Sequence, residues 1–160
     1  MGKRTSMIHL NPMIEFADQQ CKAQGTRLTP KRKLLLKGLI QANKALSAYE
    51  LIDYCKTHFN ESIPAMSAYR ILEFLEHNQL VHKLHLANKY IVCAHMSCNH
   101  SHGVSQFLIC KQCALVKEIS LQQPLLDELA HTAKAAGFDQ INQQLEIASL
   151  CNLCAQPKTI

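Results

Sequence analysis

A chain of 160 residues with 48% hydrophobic and 18% charged residues suffices for one domain or two small ones, and it is too apolar for wholesale disorder. No apolar run approaches the roughly 18 residues needed to cross a membrane, and no apolar segment follows the basic start as in a signal peptide. The formal net charge of +5 lies entirely in residues 1–86, which hold 12 Lys/Arg against 7 Asp/Glu. We therefore expect a cytoplasmic protein without a membrane partner, whose first half meets a polyanion.

The first half is predicted to form four short helices, each marked by a capping or proline signal at its start. These signals lie at Asn11-Pro12, Thr29-Pro30, Ser47-Ala48-Tyr49-Glu50 and Pro64. Asn11 is expected to cap the first helix and Gly25 to stop it. The third signal has the sequence of a capping box, and the fourth helix is expected to end at Asn78.

The periodicity then changes from that of a helix to that of a strand. Residues 80–86 and 89–93 flank Ala87-Asn88, which predicts a β-hairpin with a two-residue turn. In that register His82 lies opposite Cys93, close enough for both to bind one metal ion. Several helices followed by a hairpin are typical of a winged helix-turn-helix, in which the third and fourth helices form the helix-turn-helix pair.

The second half alternates strands with one helix. Strands are predicted over 106–109, 114–120 and 140–150, with a helix that stops at Gly137 between the last two. A domain of about 65 residues with so few large apolar side chains usually needs a bound metal, a partner subunit or both.

Eight cysteines and nine histidines are many for this length, and four of the cysteines form two C-x-x-C pairs. The two pairs are predicted to supply the four thiolates of a tetrahedral zinc site, namely those of Cys110, Cys113, Cys151 and Cys154. The 37 residues between the pairs exceed a zinc-ribbon spacing, but a βαβ excursion can bring them together. The alternative is four buried or disulfide-bonded cysteines; a thioredoxin-like redox motif needs only one pair.

Other side chains in the chain are also candidate metal ligands. They are His82, His85, Cys93, His95, Cys98, His100, His102 and Glu118. A lone histidine is more often a surface or packed residue, which is our expectation for His85 and His95. Catalytic zinc sites use similar ligands, but the motifs of zinc deaminases, H-E-x-x-H proteases, P-loop proteins and dinucleotide-binding proteins are missing, so we expect neither an enzyme nor a small-molecule substrate.

Several motifs occur together in the order found in one bacterial family. They are Leu28-Thr29-Pro30-x-Arg32, Leu46-Ser47-Ala48-Tyr49-Glu50-Leu51, Ser67-Ala68-Tyr69-Arg70, Val81-His82-Lys83, Tyr90-Ile91-Val92-Cys93, Ser101-His102, Val116-Lys117-Glu118 and the two C-x-x-C pairs. In this combination the chain resembles, from about residue 10 to 155, the ferric uptake regulator (Fur) family of metal-dependent repressors, and most of all its zinc uptake regulators.

The resemblance implies an α+β fold and a function. It implies a winged helix-turn-helix DNA-binding domain in residues 1–86, a wing end and hinge in 87–94, and an α/β dimerisation and metal-binding domain in 95–160. It also implies a homodimer that binds double-stranded operator DNA when zinc is bound and represses zinc uptake genes.

The resemblance further implies two zinc ions per subunit. The structural site would be Cys110, Cys113, Cys151 and Cys154, and the regulatory site His82, Cys93, His102 and Glu118. A thiolate ligand favours zinc over iron or manganese. The loop over 94–103 is longer than the family pattern, so His100 is an alternative to His102, and His95 and Cys98 are further possible ligands.

Tyr69 and Arg70 would read the bases of the operator. The residues expected to contact the DNA backbone are Ser67, Tyr49, Arg27, Lys31 and Arg32. The family usually has Pro-Thr-Val-Tyr-Arg where this chain has Ala65-Met66-Ser67-Ala68-Tyr69-Arg70, which predicts an altered base preference. Two other functions stay open: a member of this family that senses another metal, and a redox-responsive zinc switch.

Overall fold

The computed structural model describes residues 10–94, 96, 105–139 and 144–156. It divides into two compact units, one up to residue 99 and one from residue 100. Unit 1 contains α1 (Leu10–Ala23), α2 (Pro30–Ala42), α3 (Ala48–Phe59), α4 (Ala65–His77), β1 (Val81–Leu84) and β2 (Lys89–Val92). Unit 2 contains β3 (Gln106–Cys110), β4 (Val116–Ile119), α5 (Gln123–Ala135), β5 (Glu146–Ser149) and α6 (Asn152–Ala155). None of the described helices combines the length and the apolar character needed to span a bilayer.

Unit 1 packs its helices around α2. Leu35, Leu36 and Leu39 of this helix are buried, and Gly38 lets α3 approach closely. A Cβ atom at Gly38 would lie 3.0 Å from the Leu51 side chain, well inside ordinary van der Waals contact. Because α2 also contacts α4, the same core fixes which face of α4 is buried.

The predicted starts of α2, α3 and α4 are confirmed, but that of α1 is wrong. Asn11 lies inside α1 and does not cap it, because the described part of the helix already includes the buried Leu10 before it. Gly25 follows the end of α1 with a φ of 72°, in the left-handed region that favours glycine. The proline signals of α2 and α4 thus locate the starts of these helices, whereas that of α1 does not.

The capping box of α3 is formed in full. The Ser47 hydroxyl accepts a hydrogen bond from the Glu50 N–H at 3.2 Å, and the Glu50 carboxylate accepts one from the Ser47 N–H at 2.7 Å. This backbone hydrogen bond, against the opposing effect of partial burial, lowers the pKa of Glu50 below its ordinary value of 4.5. The carboxylate therefore stabilises the fold above about pH 4.5, and this contribution is lost as the pH falls through the lowered pKa.

Replacing Ser47 by Ala should lower the free energy of unfolding of the chain by about 1 kcal/mol, because the Glu50 N–H loses its acceptor. Urea titration at neutral pH measures this difference. Ser47→Thr is the matched control, since threonine keeps the hydroxyl and should stay closer to the parent protein. Equal midpoints and slopes for the Ala variant and the parent would contradict this role of the box.

A buried polar residue ends α4. Asn78 is fully buried, and its side chain donates to the Phe74 carbonyl at 2.8 Å and accepts from the Thr26 hydroxyl at 3.0 Å. Its carbonyl accepts a third hydrogen bond from the Gln20 side chain at 2.9 Å. These bonds tie the end of α4 to α1 and to the segment after it, and they satisfy a polar group that would otherwise be costly to bury.

The hairpin of β1 and β2 is confirmed, but its predicted register is wrong. His82 lies opposite Ile91, not Cys93, and the strands are joined by residues 85–88. The sequence pattern predicts a two-residue turn at Ala87-Asn88, whereas the turn in the structure has four residues. Because the error is two residues, His82 and Cys93 keep the same face of the hairpin and become diagonal neighbours.

Backbone hydrogen bonds attach the hairpin to the entry of α3. The Leu46 N–H donates to the Tyr90 carbonyl at 3.0 Å, and the Tyr90 N–H donates to the Leu46 carbonyl at 2.7 Å. The Lys89 ammonium lies 3.1 Å from the Glu50 carboxylate. The hairpin is therefore the wing of a winged helix, held against the helix-turn-helix pair.

Unit 2 is built on a three-stranded sheet in the order β4-β3-β5, with β3 antiparallel to β4 and parallel to β5. The buried residues among those described in this unit are Gln106, Phe107, Ile109 and Cys110, all of β3. β4 begins two residues later than predicted, because Ala114 adopts a φ of 61° in the preceding turn. The α+β class is confirmed; α6 was not predicted, since four residues carry too little periodicity.

Candidate metal centres and nucleic-acid interface

The two C-x-x-C pairs meet because β3 and β5 are parallel neighbours. Their carboxyl ends lie at the same edge of the sheet, and Cys110 pairs in register with Ser149, two residues before Cys151. Cys113 closes the turn after β3, and Cys154 lies in α6 after β5. The chain between the pairs runs through β4 and α5, so the excursion predicted from the spacing is present.

The four sulfur atoms have the arrangement of a tetrahedral metal site. All four Sγ atoms lie within 4.8 Å of one another, and those of Cys113 and Cys151 are 3.7 Å apart. With Zn–S bonds of about 2.3 Å, the sulfur atoms of a tetrahedron lie about 3.8 Å apart. The alternative of disulfides does not hold here, since the cysteines in the described part of the chain are free thiols. The residues therefore fit zinc.

The electrostatics of this cluster favour a bound cation. Backbone N–H groups point at the Cys110 sulfur, with that of Cys151 at 3.4 Å, and lower the pKa of Cys110 to about 6. By contrast, hydrogen bonds with the neighbouring thiols raise the pKa of Cys154 to about 12, and the bond with Cys151 has the largest effect. One thiolate forms easily in such a group, but further ones repel each other, and a divalent cation removes this penalty.

The hairpin places two of the other predicted ligands together. A ring nitrogen of His82 and the Sγ of Cys93 lie within 4.8 Å of each other. Cys93 is buried, and its N–H donates to the Leu80 carbonyl at 3.0 Å, which extends the hairpin beyond β2. The pair can supply one nitrogen and one thiolate to an ion.

The remaining predicted ligands belong to unit 2 or lie outside the described residues. Glu118 is on β4, paired with Phe107, and its carboxylate accepts a hydrogen bond from the Ser105 hydroxyl. The predicted ligand His102 and the alternatives His100, His95 and Cys98 lie outside the described residues.

The predicted base readers are exposed on α4. Tyr69 and Arg70 both face solvent, and Ser67 is half-buried. Tyr49 of α3 is 66% exposed, and its ring meets that of Tyr69 edge to face, with 6.4 Å between centroids. The structure thus joins α3 and α4 in one surface, which we call the α3–α4 face.

The basic residues near this face differ in their environment. Arg27 and Lys31 are exposed. The Arg32 guanidinium lies 3.5 Å from the centroid of the Phe74 ring and donates to the Arg27 carbonyl. Arg32 therefore also holds α2 against α4, a contact that sequence reasoning missed because Phe74 is distant in the chain.

Comparison with known proteins gives a consistent picture. The model of the ferric uptake regulator family matches residues 23–148. The zinc uptake regulation protein of Escherichia coli (strain K12) is 31% identical over 145 residues, which are 90% of this chain and 82% of that protein. A zinc uptake regulator complexed with zinc and DNA aligns with a TM-score of 0.77 at 28% identity, over 91% of this chain and 94% of that one. Holo XcZur aligns with a TM-score of 0.74 at 34% identity, over 91% and 98%.

Proposed function

The chain belongs to the ferric uptake regulator family, and on this basis we propose that it is a zinc-responsive transcriptional repressor and not an enzyme. It binds operator DNA as a homodimer when zinc is bound, and it controls zinc uptake genes. The similarity over most of the chain to a regulator that is complexed with zinc and DNA carries this proposal. A repressor of this kind acts where the bacterial chromosome lies, in the cytoplasm.

Each subunit would hold two zinc ions. The structural ion would be bound by Cys110, Cys113, Cys151 and Cys154, a donor set that the sulfur distances support. The regulatory ion would be bound by His82, Cys93, His102 and Glu118, as in the family pattern. Imidazole nitrogens and a thiolate are donors that zinc prefers, whereas manganese prefers oxygen-rich sites. When bound, the zinc ion would supply a positive charge that offsets the negative charge of the thiolate and carboxylate donors.

The regulatory ligands suggest how zinc and DNA are coupled. His82 and Cys93 belong to the wing of unit 1, whereas His102 and Glu118 belong to unit 2. All four donors can bind one ion only in one arrangement of the units, and in a dimer this arrangement sets the spacing of two recognition helices. Since zinc and DNA would favour the same conformation, each must raise the affinity for the other by the same factor.

Exposed apolar side chains on unit 2 support dimerisation through this unit. No residue of α5 is buried, although Leu125 and Leu129 lie four residues apart on one side of it. Leu125 is 58% exposed, and Ile147 of β5 is 43% exposed. A second copy of the chain would cover this apolar surface.

In the DNA complex α4 would enter the major groove. Tyr69 would contact a thymine methyl group, and Arg70 would donate to guanine edges or to the rim of the minor groove. The proposed backbone contacts, which carry no sequence information themselves, are Tyr49, Ser67, Arg27, Lys31 and Arg32.

Replacing Arg70 by Ala should weaken specific DNA binding by about 1–3 kcal/mol, because a bidentate base contact is lost. Fluorescence anisotropy of a labelled operator duplex measures the affinity at fixed salt and zinc. Lys56→Ala, in the last turn of α3, removes the same charge and serves as the control. An Arg70→Ala protein that binds as tightly as the parent would show that α4 does not read the bases in this way.

The proposed function is tested by titrating DNA binding against free zinc, with iron and manganese in parallel. We expect binding to appear with zinc alone. An equal response to iron or manganese would favour the family member that senses another metal. A loss of affinity after peroxide, with the same zinc release as after chelation, would favour the redox-responsive switch.

A further inference from the structure

We infer that Met66 is a specificity-determining residue that reads the 5-methyl group of a thymine beside the bases contacted by Tyr69 and Arg70. The inference rests on the proposed function, since it assigns a role within the same DNA complex. It also gives a chemical consequence to the changed motif at the start of α4.

The placement of Met66 follows from the buried face of α4. Ala68, Leu72 and Leu75 are fully buried and fix the rotation of the helix about its axis. Since successive helical residues are turned by about 100°, Met66 lies roughly opposite to this buried face. It also lies three residues before Tyr69 and four before Arg70, so it stands between the two proposed base readers on the outer surface.

The exposure of Met66 is consistent with a contact to a partner molecule. Its side chain is 67% exposed and lies in the first turn of α4. Recognition helices contact base edges with their N-terminal residues, so this turn is the part that reaches the groove. Met66 adds to the two exposed tyrosines of the α3–α4 face, Tyr49 and Tyr69.

The chemistry of the side chain selects the group that it would contact. Methionine has no strong donor or acceptor, so it cannot bind phosphate oxygens or the polar edges of guanine and cytosine. The apolar group that a base pair presents in the major groove is the thymine methyl. An unbranched, flexible side chain can adjust to this small target.

The experiment uses the zinc-loaded full chain and the tightest duplex recovered by selection from a random pool. Each thymine of one half-site is replaced in turn by deoxyuridine, which lacks only the 5-methyl group. For the parent protein we expect, besides the thymine assigned to Tyr69, one further position at which the replacement weakens binding about fourfold, the effect of removing one buried methyl. Met66→Ala should bind the thymine duplex about fourfold more weakly and be insensitive to deoxyuridine at this position, while it keeps its sensitivity elsewhere.

Met66→Leu is the matched control, because it retains the apolar contact and should keep most of the methyl sensitivity. Equal sensitivity of the parent and Met66→Ala at every thymine would overturn the inference and leave the proposed function intact. If the zinc-loaded parent recovered no duplex from the pool, the proposed function itself would fail, and the inference with it.

Discussion

Replacing Cys110 by Ser should remove one zinc ion per chain and unfold unit 2. Few of the described residues in that unit are buried, and they lie on a single strand. Structural zinc in a thiolate site contributes about 10–16 kcal/mol at neutral pH, which is as large as the whole stability of an ordinary domain. Metal analysis by mass spectrometry and the dispersion of amide signals in NMR spectra measure the two effects. Signals of unit 1 should persist, because its helical core contains no part of the thiol cluster.

Cys21→Ala is the control for this experiment. Cys21 is a buried thiol in α1, outside the cluster, and its removal should leave the zinc content unchanged. A Cys110→Ser protein with the zinc content of the parent and a folded unit 2 would contradict a structural role for the four thiols.

Replacing Cys93 by Ser should abolish most of the zinc response of DNA binding while the structural zinc is retained. A hydroxyl is a much weaker zinc ligand than a thiolate, and even indirect changes around a metal ligand cost about tenfold to 100-fold in affinity. The wing should stay folded, because serine keeps the N–H that donates to the Leu80 carbonyl. Operator binding titrated against buffered free zinc measures the shift, for which we expect a loss of at least about tenfold.

The hairpin also offers a matched pair of histidines. His82→Ala should behave like Cys93→Ser, whereas His85→Ala should respond to zinc as the parent does, since His85 is exposed in the turn. A zinc response that survives both Cys93→Ser and His82→Ala would exclude these residues as regulatory ligands.

Local signals in the sequence predicted much of the fold. The capping box of α3 and the proline before α4 describe interactions within a few residues, so they locate these helices well. The hairpin register could not be derived from the sequence, because a turn of four residues is as compatible with its pattern as a turn of two. The place of Asn11 inside α1 also could not be derived from its local signal, because a capping residue with proline after it favours a helix start there.

The candidate sites were predictable to different degrees. The spacing within each C-x-x-C pair is typical of zinc ligands, so the sequence predicts the cluster of four thiols. The residues of the α3–α4 face were predicted as DNA contacts, but the contacts of Tyr49 with Tyr69 and of Arg32 with Phe74 were not, because they join residues that are far apart in the chain. The exposed Met66 has a simple signal in retrospect, its position four residues before Arg70.

The parallel pairing of β3 with β5 has a consequence for biosynthesis. Cys110 and Cys113 are made before the 37 residues that precede Cys151. Translation adds about 5–20 residues per second, so the nascent chain carries this first thiol pair for about 2–8 s before Cys154 is added. During that interval a ribosome-bound chain offers half of the proposed metal site, so closure of the proposed four-thiolate site and completion of unit 2 must follow translation of α6.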